Sequence, residues 1–214
     1  MDNGLVGRSV YAFGDSIVYG HLFPRGFVDI VAERRGMTLT KFARNGATIG
    51  ADAHATGGQI LAQVEEAPAI APDFVLFDGG TNDAQSIFRD QRYDVGAYAE
   101  ALEKTLHTMK RKWPTARLVY VAAHKLGSRD WETQVALREV TLQACHTWDV
   151  AIADVFGDTM FDTRDDAQRA KYTFDGLVNG FPGTDGSGTH PNMAGITTFY
   201  VPVVSARLKQ MSPR

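Results

Sequence analysis

Five short apolar segments recur along the 214-residue chain, and the lengths of chain between them decide the fold. Residues 10–13, 37–42, 73–77, 117–123 and 150–155 carry the β-branched and aromatic side chains of strands. The stretches between them place apolar residues at helical spacing: Phe27, Ile30 and Val31 in 24–35, then a short amphipathic run over 58–66 stopped by Pro68. Tyr98, Leu102, Leu106 and Met109 form a stripe in 93–113, and Val135, Leu142 and Cys145 do so in 131–148. Connections of that length cannot be hairpins, so successive strands run parallel with helices packed on both faces. Right-handed crossovers leave few topologies. The expectation is one α/β domain over residues 1–214, a flavodoxin-like three-layer α/β/α sandwich with a five-stranded parallel sheet in the order 2-1-3-4-5. Beyond the fifth strand, 157–181 is charged and irregular with one short helix near 165–171, and the glycine-rich 180–188 reads as loop. His190-Pro191-Asn192 opens a last helix, which Pro202 should bend.

The first strand ends in Gly14-Asp15-Ser16, which sets a hydroxyl just past the carboxyl end of a buried strand, where open α/β sheets collect ligands. Asp15 and Ser16 are also good helix N-caps, and on their own need be nothing more. Parallel strands, however, deliver their following loops to one sheet edge. The loop after the second strand is Asn45-Gly46-Ala47-Thr48-Ile49-Gly50, and the loop after the third is Asp78-Gly79-Gly80-Thr81-Asn82-Asp83. His190 stands ahead of the helix that returns beside the first strand. A hydroxyl, an imidazole, a glycine N–H and a side-chain amide around one small volume suit acyl transfer. Serine needs a base to take its proton, histidine serves near neutrality, and the tetrahedral intermediate needs donors aimed at its oxyanion.

Gly14-Asp15-Ser16, the 45–50 loop, Gly80-Thr81-Asn82-Asp83 and His190-Pro191-Asn192 resemble, in order, the four sequence blocks of the SGNH (GDSL-type) hydrolases. The blocks span residues 14–192, and their combination is specific where each alone is weak. The resemblance implies that Ser16 is the nucleophile and its own N–H an oxyanion donor, with the Gly50 N–H and the Asn82 amide completing the hole and His190 as base. Gly46 is the second candidate for the glycine donor. Gly50 is preferred because the family's glycine sits a few residues past the loop's asparagine, here Asn45. There is one departure. The family's aspartate three residues before the histidine is Ser187 here, so Asp185 is the expected orienting acid, with a backbone carbonyl as the alternative. Asp15 and Asp83 read as acids that fix loops rather than catalysts.

Other classes fit poorly. A net charge of −3 offers no nucleic-acid footprint, and no apolar stretch reaches the length of a membrane span. Residues 1–5 lack the pattern of a secretory signal, which points to the cytoplasm. The single cysteine, Cys145, lies in a helical apolar pattern and reads as core. A metal-dependent phosphoesterase would need further Asp and His ligands, and the loop 14–20 has neither a dinucleotide fingerprint nor a P-loop lysine. His21, His54, His107 and His146 show no paired ligand spacing, and His124 reads as a polar strand-end residue. No metal or cofactor is therefore expected, and the partner is a small-molecule ester. The oligomeric state is not written in the sequence.

The expected reaction is hydrolysis of a carboxylic ester through an acyl-enzyme, the substrate being a short-acyl ester of a carbohydrate. The alternatives are a lipase or thioesterase on the same site, and a non-catalytic carbohydrate-binding protein on the same scaffold, for which the Ser187 departure is the only favouring feature. With His190 as base, kcat/KM should fall in acid. A rate flat from about pH 5 to 8 would argue against a histidine base.

Overall fold

The computed structural model describes residues 4–212; residues 1–3 of the stretch read for a signal, and 213–214, lie outside it. Five strands, β1 (Ser9–Phe13), β2 (Thr38–Lys41), β3 (Phe74–Phe77), β4 (Arg117–Ala122) and β5 (Ala151–Asp154), form a parallel sheet in the order β2-β1-β3-β4-β5. β1 lies between β2 and β3, with Val10 opposite both Leu39 and Phe74. This is the expected order. It also puts the topological switch point at β1, so a crevice opens past the strand end that carries Ser16.

Side chains alternate between the two faces, and each face has its own core. Val10, Ala12, Phe74, Leu76, Val119 and Val121 pack on one side against α2 (Phe27–Arg35) and α10 (Val201–Met211). Phe13, Val75, Phe77, Leu118 and Tyr120 pack on the other against α3 (Ile60–Glu66), α5 (Val95–Lys112) and α6 (Trp131–Thr147). Cys145 is fully buried there, and burial pushes its thiol up to about 12, as suits a core residue.

Shorter elements shape the edge where ligands bind. These are α1 (Ser16–Tyr19), α4 (Thr81–Phe88), α7 (Val155–Asp158), α8 (Asp166–Tyr172) and α9 (Met193–Gly195). Two differ from the sequence reading. The stretch 180–188 is not all loop, because Phe181–Pro182 (β7) pairs antiparallel with Leu177–Val178 (β6). The last helix does not simply bend at Pro202: Ile196–Tyr200 forms a wide π-helical turn before α10. A proline cannot donate to the preceding turn, and the wider turn absorbs that lost bond. Among the described residues no helix is long and apolar enough to cross a membrane.

Candidate active site

The turn that delivers Ser16 is held from three sides. Gly14 has φ +145°, and a Cβ there would stand 1.9 Å from Asp78 Oδ1, so only glycine fits. Its N–H donates to Gln63 Oε1 (3.0 Å) and its carbonyl accepts from Gln63 Nε2 (2.9 Å), which satisfies both groups with one buried side chain. The Asp15 N–H donates to Asp78 Oδ1 (3.0 Å), and the Asp15 side chain caps α1 by accepting from the Ile17 N–H (2.8 Å). Ser16 is thereby fixed at the first position of α1.

Across the switch point, Ser16 Oγ lies 2.9 Å from His190 Nε2. The histidine is anchored through its backbone, because the Phe174 N–H donates to the His190 carbonyl (3.0 Å) beside a bridge between Thr173 and Pro191. Asn192 then caps α9 by accepting from the Ala194 and Gly195 N–H groups. Asn82, in the first turn of α4, donates Nδ2 to the Ala47 carbonyl at 2.8 Å. Its second contact, 3.5 Å to Asp15 Oδ2, is too long to bind strongly, so one amide hydrogen stays available. The N–H groups of Ser16 and Gly46 make no hydrogen bond among the described residues.

The sequence profile of the GDSL-like lipase/acylhydrolase family matches residues 12–196, which include every one of these groups. The chain belongs to that family. Solved structures share its fold. A lipase/acylhydrolase from Enterococcus faecalis has a TM-score of 0.69 at 18% identity, covering 96% of this chain and 97% of that one. Phospholipase A1 from Streptomyces albidoflavus NA297 has a TM-score of 0.64 at 13% identity, with 94% and 100% covered. A family two carbohydrate esterase from Clostridium thermocellum, in complex with cellohexaose, has a TM-score of 0.65 at 14% identity, with 96% and 63% covered. No curated protein matches the sequence. This GDSL-family chain is an ester-hydrolysing enzyme.

The structure brings Ser16 to His190 and sets Asn82 near Asp15, the residue before Ser16, whereas two expectations for this GDSL-family site need correction. Asp185 does not reach the imidazole. It is exposed, with φ +60°, and its carboxylate accepts from Thr184 Oγ1 (2.9 Å). The acid beside the ring is Asp175, with Oδ1 3.7 Å from His190 Nδ1. The same 173–174 segment that pairs with residues 190–191 carries Asp175 across to the ring. Ser187, at the family's aspartate position, instead holds that carboxylate: its N–H donates to Asp175 Oδ2 (2.6 Å) and its Oγ to Oδ1 (3.1 Å). The Gly50 N–H, in turn, is not free for an oxyanion, since it donates to Asp83 Oδ1 at 2.7 Å and the Tyr93 ring covers the glycine. Gly46 fits better. Its turn lies between Asn82, bonded to the Ala47 carbonyl, and His21, whose carbonyl accepts from Asn45 Nδ2 at 3.1 Å.

Asp83 is a loop-fixing acid, accepting from the N–H groups of Ile49, Gly50 and Gly80 and from the Tyr93 hydroxyl. Burial pushes its carboxyl up, and pushes Asp78 well up. Asp15 rises to about 6, first through burial and then through the nearby Asp83 charge. His124 is buried between the Tyr200 hydroxyl and the Gly188 carbonyl, and burial lowers it to about 3. It is structural.

Two further residues escaped sequence reasoning. His21 sits at φ +57°, and its ring stacks on His190 with centroids 3.6 Å apart and planes within 5°. Burial lowers His190 to about 4, His21 adds to the lowering, and Asp175 opposes it. His21, Asp175 and His190 are close enough to suggest a metal site. A ring nitrogen's lone pair lies in its ring plane, however, so parallel stacked rings cannot share one ion without turning. Arg129 is the other: Nε donates to the Thr81 carbonyl (2.8 Å) and Nη1 to the Ser128 carbonyl (3.0 Å). Its only sequence signal is a position ahead of a helix cap, Asp130, which does not announce an active-site neighbour.

Proposed function

We propose that the protein is a serine esterase that works through an acyl-enzyme, and that its substrate is a short-acyl, acetyl-type ester of a carbohydrate. The observation that carries the chemistry is the 2.9 Å approach of Ser16 Oγ to His190 Nε2. His190 takes the hydroxyl proton as Ser16 attacks the ester carbonyl. The N–H groups of Ser16 and Gly46 and the Asn82 amide receive the oxyanion, each such donor being worth about 2.7–4 kcal/mol of barrier. His190 then hands its proton to the leaving alcohol, and water attacks the acyl-enzyme with the same imidazole as base. Asp175 favours the imidazolium formed on the way. No step calls for a cofactor.

The choice of substrate rests on the cleft that Gly46 and Asn82 line, about 210 Å³ in volume. Its other walls include Asp52, His54, Thr56 and Arg92, hydrogen-bonding groups that suit a hydroxylated alcohol and a small acyl group. A second reading, a lipid acyl hydrolase, draws on Leu22, Val178 and Phe181, which are exposed near His21, with Phe23 against Phe181 at 5.7 Å. A panel of p-nitrophenyl esters from acetyl to palmitoyl, with acetylated sugars, separates the two. Turnover is expected to peak at acetyl and to vanish in Ser16→Ala while the far-UV spectrum is unchanged. A preference for long chains would install the second reading, and turnover retained in Ser16→Ala would refute the mechanism.

A further inference from the structure

We propose that the cleft between the end of α4 and the start of α6 is a subsite for an anionic group on the substrate, a carboxylate or phosphate, held by Arg129 and Arg89. The proposal rests on the esterase reading and names the kind of sugar it acts on.

The cleft measures about 230 Å³ and is lined by Gln85, Phe88, Arg89, Ser128 and Arg129, with Asp130. It adjoins the catalytic pair on two sides. Arg129 is bonded to the carbonyl of Thr81, the residue before Asn82. Ser128 Oγ is hydrogen-bonded to Thr189 Oγ1, the residue before His190. The cleft is thereby tied to the two segments that carry Asn82 and His190.

The charge inventory is what calls for an anion. Arg129 is half-buried, yet among the described residues it forms no ion pair. The Asp15 charge acts on it without a direct ion pair, and a half-buried guanidinium with no carboxylate bonded to it gains from an anion that can reach it. Two of its five N–H donors go to backbone carbonyls. The three left lie in one plane, the fork that meets a carboxylate or phosphate two-pronged. Arg89 lines the same cleft, is exposed, and also lacks an ion pair among the described residues. Burial lowers the Arg129 pKa most, the Asp15 charge raises it, and Arg89, a smaller effect than Asp15, lowers it, so the two cations are within reach of each other. The carboxylate at the cleft, Asp130, is committed elsewhere, capping α6 by accepting from the Thr133 N–H (2.8 Å) and Oγ1 (2.7 Å). Arg92, by contrast, is paired with Asp52 and Asp90, so of the arginines 89, 92 and 129 only Arg89 and Arg129 lack an ion pair among the described residues.

Calorimetry on Ser16→Ala reads the subsite without turnover, with galacturonate against galactose and glucose 6-phosphate against glucose as probes. At least one anionic sugar should bind about tenfold tighter than its neutral partner, the scale of a charge-assisted bidentate contact. Which pair shows the difference tells carboxylate from phosphate. Arg129→Gln and, should that variant misfold, the exposed Arg89→Gln should each cut the preference about threefold or more, while Arg129→Lys keeps part of it. Equal affinities within both pairs, or a preference that survives both Gln variants, would overturn the proposal. The wild-type enzyme is run in parallel on acetylated methyl galacturonate and methyl galactoside. Absence of any turnover there defeats the esterase reading, a result distinct from failure of the anion site.

Discussion

Replacing Asp175 by Asn tests which acid serves His190, and its size follows from the geometry. When Ser16 gives up its proton the imidazole becomes a cation with Asp175 Oδ1 3.7 Å from Nδ1. Two unit charges at that distance interact by about 4.5 kcal/mol at an effective dielectric of 20 and about 1 kcal/mol in water. The Asp175 side chain is 48% exposed, so the lower part of that range applies. About 1–3 kcal/mol of transition-state stabilisation corresponds to roughly a 5- to 150-fold loss of kcat/KM on p-nitrophenyl acetate. That is well short of the 10⁴-fold seen when a directly bonded triad aspartate is lost, because 3.7 Å exceeds hydrogen-bond length. Asp185→Asn should stay within about twofold of wild type, as expected of an exposed change away from the ring.

The pH profile supplies the readout that structural damage alone would not move. Asp175 raises the His190 pKa against burial and His21. Its removal lets that pKa fall further, so the acid limb of kcat/KM shifts to lower pH while the plateau drops. If Asp185→Asn lost activity tenfold and Asp175→Asn matched wild type, the assignment drawn from the geometry would be wrong.

Other outcomes follow from the same contacts. Because burial holds His190 near 4, the wild-type acid limb should lie close to pH 4, which corrects the expectation from sequence that a histidine base must show its fall between about pH 5 and 8. His21→Ala removes a lowering charge and opens the ring to water, so the limb should climb toward 6.5; a limb at 6.5 in both proteins would contradict the stack's role. Gln63→Ala strands the N–H of Gly14, whose carbonyl keeps the Arg44 N–H (3.1 Å), at a cost of about 1–3 kcal/mol for the unpaired group, and should lower both Tm and kcat. His124 and His190 are held below the ordinary histidine value, so the unfolded chain binds more protons below about pH 6.5. Their contribution to stability should be full above that pH and fade as pH falls toward 4 and then 3, as urea titrations at several pH values would show.

Much of this was legible in the sequence because it depends on local pattern. Apolar runs such as Phe74–Phe77, fully buried here, and the crossover lengths between them determine the sheet order. Ser16, Asn82 and His190 were legible because each opens a helix after a strand or loop at the same edge. What escaped depends on contacts between distant segments. Asp175 reaches His190 only because residues 173–174 pair beside 190–191, a bridge with no periodic signature. Gly50 and Gly46 look alike as letters, and what separates them is where Asp83, on another loop, spends its oxygens. His21 lies on the ring of His190 because Gly20 and His21 both turn left-handed after α1, a conformation that residue spacing does not disclose.

The three buried acids at the sheet edge carry a cost that explains their arrangement. Asp15, Asp78 and Asp83 all have raised pKa values with burial as the leading cause, so ionising them near neutrality works against the fold. Each nevertheless accepts backbone N–H groups from a loop of the site: Asp78 from Asp15, Asp15 from Ile17, and Asp83 from Ile49, Gly50 and Gly80. The donors that point inward to these acids are immobilised. In the same loops the N–H groups of Ser16 and Gly46 make no hydrogen bond among the described residues. On the proposed mechanism an oxyanion formed on Ser16 would meet donors on loops already fixed in place, where electrostatic stabilisation of a transition state is largest. Stability given up in burying carboxylates at one layer of the edge is what orients the donors in the next.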